Sequence, residues 1–175
     1  MLGKIVRPAA FALAVACAGS AAAADVLGVR NIVLLQPDAV LHGRGADAAH
    51  LAQYIRAAEA TAASTLRDRT PTPTAGFIVF ALREGYASKV WLDLDPPLDA
   101  ATAATLTAAL ERTSDVPFVG GTIVFAFNVS LWDAPEDTRR MPRPQAWIDA
   151  AKDAPAPIEI ADLVDRVWPR PVPKP

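Results

Sequence analysis

Residues 76–95 read GFIVFALREGYASKVWLDLD, and the fold class follows from them. Gly76 to Arg83 is a run of β-branched and aromatic side chains, which suit a pleated and buried strand. Lys89 to Asp95 alternates strictly. Val90, Leu92 and Leu94 share one face, and Lys89, Trp91, Asp93 and Asp95 share the other. Successive strand side chains point to opposite faces, so this pattern predicts a half-buried antiparallel strand. Glu84-Gly85-Tyr86 between the two runs supplies a tight turn and closes a β-hairpin.

Downstream, Pro96-Pro97 stops the hairpin. Asp99 caps a helix that carries Ala103, Leu106 and Leu110 on one stripe. Val116-Pro117-Phe118 and Gly120-Gly121 lead into a final strand, Thr122 to Leu131. There Ile123, Phe125, Phe127, Val129 and Leu131 share a face opposite Thr122, Val124, Ala126, Asn128 and Ser130. Beyond Trp132 the chain is polar and proline-rich as far as Pro144. Short helices are expected over 145–152 and 159–168, the second packing back through Ile160, Leu163, Val164 and Val167. The tail from Pro169, PRPVPKP, reads as solvated polyproline II.

Upstream, Thr70-Pro71-Thr72-Pro73 separates the hairpin from a helix over 47–67. Asp47 is its cap, and Leu51, Ile55, Ala58, Ala62 and Leu66 form its apolar stripe. Leu41 to Ala46 (LHGRGA) reads as a glycine-broken loop, and Val26 to Gln36 as a strand stopped by Pro37-Asp38. The first 24 residues read as a cleavable export signal. Lys4 and Arg7 precede an apolar core at Ala9 to Ala16, and Ala22 and Ala24 give the small-x-small pattern for a cut before Asp25. That core is too short for an anchor of roughly 20 apolar residues. Cys17 is the one cysteine. It is either incidental or, as the lesser alternative, a lipidation site.

Removing Lys4 and Arg7 from 17 basic residues leaves 15 against 19 acidic ones, a net charge of −4. Nucleic acid asks for a basic surface, so it is not an expected partner. No later stretch is long enough to span a bilayer. About 150 residues suit one domain, taken here as 25–168.

The order helix, hairpin, helix, strand resembles the C-terminal domain of the TonB and TolA family. The matching pieces are Phe77 to Leu82, Glu84-Gly85, Val90 to Leu94, Leu98-Asp99, Ala100 to Leu110, Pro117-Phe118 and Gly121 to Val129. They cover about half of the mature chain. Asp95-Pro96-Pro97 replaces the family's small polar residues, and the extensions at 25–45 and 133–175 have no counterpart. The resemblance implies a periplasmic module that binds an extended peptide or envelope protein at a sheet edge. By that analogy the edge is the final strand, with Thr122, Val124, Ala126, Asn128 and Ser130 as partner-binding residues and Trp91 as a further contact. The alternative is that the strand at 26–36 covers this edge.

No catalytic constellation is present, and no enzyme activity, cofactor or metal is expected. His42 and His50, the only histidines, lack ligand spacing. Leu41-His42-Gly43-Arg44-Gly45 lacks the placement and lysine of a phosphate loop. Asp93 and Asp95 share a strand face, where a cation pair or an acid pair competes with a plain solvated surface. The expected fold is α+β: a small antiparallel sheet of the hairpin plus a final strand, with or without an added N-terminal strand, and helices mainly on one face. The second functional reading is an envelope protein that binds a small ligand or lipid in apolar clefts beside the C-terminal helices.

Overall fold

A computed structural model describes residues 25–44, 48–84, 87–113, 120–152, 154 and 157–170. The export segment with Cys17, the Asp47 cap, the Gly85-Tyr86 turn, Val116-Pro117-Phe118 and the end of the tail lie outside them.

The fold is α+β, with four antiparallel strands and five helices packed against them. The strands are β1 (Leu27–Leu34), β2 (Thr74–Arg83), β3 (Ala87–Asp95) and β4 (Ile123–Leu131), in the order β1-β4-β2-β3. The helices are α1 (Asp38–Gly43), α2 (Ala48–Leu66), α3 (Ala100–Glu111), α4 (Gln145–Ala151) and α5 (Ile160–Val167).

The hairpin forms as expected, with Phe80 opposite Val90 and Ile78 opposite Leu92. β4 then lies against β2, pairing Phe125 with Phe80 and Phe127 with Ile78. These side chains build the larger core. Phe80 and Phe125 stack with centroids 5.1 Å apart, and Tyr54 of α2 meets both edge-on. Ala58, Ala62 and Leu66 of α2, with Leu106 and Leu110 of α3, close this face. Asp99 starts α3 as the sequence suggests, its carboxylate accepting from the Ala101 and Thr102 amides.

The opposite face is covered too. Phe77, Val79, Ala81, Val124 and Ala126 pack under Trp147 of α4 and Leu163 and Val164 of α5. Helices therefore flank both sides of the sheet rather than mainly one. The reason lies in β2 and β4, which are buried at every position. An antiparallel strand with one wet face alternates, whereas one covered on both faces reads as a continuous apolar run. Two further expectations shift. Residues 38–43, expected as stop and loop, form α1, because the Pro37 carbonyl accepts from the Val40 and Leu41 amides and Leu41 is buried. The polar face of β3 is not solvated at Asp93, whose carboxylate receives Arg139 Nη1 at 2.8 Å and the Arg143 amide at 2.6 Å.

Candidate functional site

The free edges of the sheet decide what it can bind, because an edge strand offers unpaired N–H and C=O groups. β4 is not an edge. β1 pairs along it from Leu27 opposite Leu131 to Leu34 opposite Phe125, and β2 occupies its other side. The expected strand addition at 122–131 is therefore corrected. The backbone groups it needed are taken, because the N-terminal extension supplies a strand of its own.

The residues expected to bind a partner are internal. The Thr122 carbonyl accepts from Gln36 Nε2 and Arg44 Nη1, and its hydroxyl accepts from Arg83 Nε. Val124 and Ala126 belong to the second core. Ser130 Oγ donates to the Ala134 carbonyl at 2.5 Å. Trp91 meets Trp147 edge-on, with centroids 5.5 Å apart. The cover over Trp91 thus comes from α4. Asn128 lies mid-strand opposite Asn31, on the face away from α2.

Two edges remain. β3 is guarded: Glu111 Oε1 accepts from the Val90 amide and pairs with Lys89 Nζ at 2.8 Å. A charged side chain seated on an edge strand blocks further pairing.

β1 is open. The Leu35 amide donates to the Val124 carbonyl at 3.1 Å. Hydrogen-bonded and non-bonded positions alternate along an antiparallel pair, so the N–H and C=O groups of Leu34 and Ile32 point away from β4. Leu34 and Ile32 are the exposed large apolar residues of β1, at 47% and 39%, on the face that α2 covers further in. Single apolar residues on a surface are ordinary. Here two of them sit beside unpaired backbone on one strand. A β-bulge at Arg30, between Val29 and Asn31, shifts the register, and Arg30 pairs with Glu136 at 2.8 Å.

The other polar residues singled out in the sequence sit in local contacts. His42 is exposed, with Nδ1 at 3.0 Å from the Asp38 carbonyl. Asp93 serves as an anchor for Arg139 and Arg143 rather than as half of an acid pair. Among the described residues no three His, Asp or Glu side chains converge on a metal-sized site, and no helix is long and apolar enough to cross a membrane. Comparison with protein-family models, curated proteins and solved structures found no match.

Proposed function

We propose that this chain is a non-catalytic interaction module of the cell envelope, akin to TonB and TolA C-terminal domains, that takes up an extended segment along β1. One observation carries the reading. Ile32 and Leu34 combine outward backbone groups with exposed apolar side chains on an edge that no described residue guards. Strand addition draws affinity from main-chain hydrogen bonds and specificity from alternate side chains. Burying a Leu or Ile side chain fully is worth about 1.5–3 kcal/mol, and these two are less than half exposed, so each has roughly 1 kcal/mol left to offer. The export-type segment at 1–24 supports a periplasmic setting.

The test is photo-crosslinking in cells from Ile32 and Leu34, with Lys89 on the guarded edge as control. A discrete adduct from the β1 positions and none from Lys89 is expected. Absence of any adduct at both β1 positions overturns the proposal.

A further inference from the structure

Beside the C-terminal helices, a groove of about 440 Å³ opens between the end of β1, the segment before α4, and α4 and α5 themselves. Leu35, Met141, Trp147, Ile148, Ile160 and Leu163 supply most of its walls. Trp147 and Leu163 are buried, whereas Met141 remains 53% exposed. Small-molecule sites are mostly apolar clefts of roughly 300–1,000 Å³ with a few polar groups that fix orientation. This groove has that size and that lining.

The charged side chains that line it are both cations, Arg143 and Lys152. Lys152 Nζ is taken by Asp149 Oδ1 at 2.7 Å. The Arg143 guanidinium makes no ion pair or hydrogen bond among the described residues; only its backbone amide is engaged, by Asp93. Asp93 is itself matched by Arg139 Nη1 at 2.8 Å. One positive charge therefore borders an apolar groove that no described carboxylate lines. An exposed arginine alone is ordinary, and so is a single exposed apolar residue. Together on one concave surface they select a ligand with both characters. A small hydrophilic anion would leave the walls wet, and a cationic amphiphile would meet Arg143 head-on.

We infer that this groove binds a free monocarboxylate with an alkyl chain, of the fatty-acid class. The chain lies against Met141, Trp147, Ile148 and Ile160, and the carboxylate meets the Arg143 guanidinium. A guanidinium fork suits the planar, two-oxygen geometry of a carboxylate, and charge-assisted hydrogen bonds are the stronger ones. Each methylene buried adds up to about a fourfold gain in affinity until the groove is filled. The inference does not depend on strand addition. Leu35 packs toward the second core, and Ile32 and Leu34 point to the opposite face of β1.

The experiment titrates the whole protein at pH 7 with decanoate, kept below its micelle concentration. The indole N–H resonance of Trp147, a buried donor without an acceptor among the described residues, is followed by NMR. Decanol and decylamine are the neutral and cationic controls, and hexanoate is the short acid. A saturable shift with decanoate is expected, with clearly weaker binding of all three controls. Arg143→Gln keeps the backbone amide that Asp93 holds and should weaken decanoate binding about tenfold. Met141→Ser, at an exposed position, should weaken it about fivefold. Unchanged urea midpoints in both variants show that the loss is one of binding. No saturable shift, equal affinity for decanol or decylamine, or binding untouched by Arg143→Gln overturns the inference. Uptake onto phosphatidylglycerol vesicles without saturation by decanoate also overturns it, and assigns the groove to a membrane surface. Crosslinking from Ile32 is scored separately, and Arg143→Gln leaves it unchanged.

Discussion

The guanidinium carbon of Arg83 lies 3.9 Å from the centroid of the Trp168 ring, and the same group donates to Asp165 Oδ1 at 2.5 Å. Arg83 is the last residue of β2 and is 5% exposed, while Asp165 belongs to α5. The pair clamps the last helix to the end of the sheet. Burial pulls the Arg83 guanidinium below its usual range, and Asp165 pulls it back up. Losing one partner of a buried pair costs about 3–5 kcal/mol, and an exposed pair is worth 0–1. The Asp165 side chain is 37% exposed, which places this pair between the two. Asp165→Asn should therefore destabilise the fold by about 2 kcal/mol. The check is the urea midpoint at unchanged slope. Arg83→Lys should not do better, because an ammonium lacks both the fork and the flat face that stacks on Trp168.

Gly76 has φ +147°, and a Cβ built there would meet the Asp93 carbonyl oxygen at 2.2 Å and Arg139 Nη2 at 3.0 Å. Nothing in that contact is a flexible side-chain end except Arg139. Gly76→Ala should cost about 3 kcal/mol, since strained backbone alone costs about 1–3. Thermal melting checks the loss. Arg139→Ala combined with Gly76→Ala should not recover it, because the carbonyl clash remains.

Asp137 makes stability depend on acid. Burial pushes its carboxyl up, but the hydrogen bonds from the Arg139 side chain and amide outweigh that and hold it below the usual range. A carboxyl depressed in the folded state adds stability above its unfolded value of about 3.9 and loses it as pH falls through the folded value. Wild type should weaken steadily from about pH 5 to pH 2. Asp137→Asn should start lower at pH 7 and show a shallower fall, measured by denaturation at a series of pH values.

Ile32→Pro separates folding from binding at β1. The Ile32 amide points away from β4, so proline removes no hydrogen bond of the sheet, and edge strands are where proline is tolerated. Stability should change by less than about 1 kcal/mol, while crosslinking from Leu34 is lost. Ile32→Lys with Leu34→Lys should act alike, as edge lysines oppose pairing. Urea denaturation and crosslinking on the same samples read the two effects.

How far the sequence carried the fold depends on the range of each cause. The alternation at Lys89 to Asp95 and the Asp99 cap are local, and both were legible. The neighbours of β4 were not. The pairing of Leu27 with Leu131 joins strands that lie far apart in the sequence, and either strand alone reads the same whether paired or free. Trp91 gave an incomplete sign. Its place on the polar face marked a contact, but the contact is internal, with Trp147. The Asn31–Asn128 pairing was hidden for a further reason. The bulge at Arg30 resets which face each β1 residue takes, and nothing in LGVRNIVL announces it.

The place of β1 at the margin of the sheet also sets an order of assembly. Made early, it has one partner, and that partner is β4, which is complete only at Leu131. The hairpin, α2 and α3 can form from near neighbours while Val26 to Leu35 waits as an apolar ribbon. Closing so long a loop is slow, although its extra entropic cost grows only with the logarithm of its length. During that wait β4 is the outer strand, and a competitor arriving then would find the very surface that the finished molecule hides.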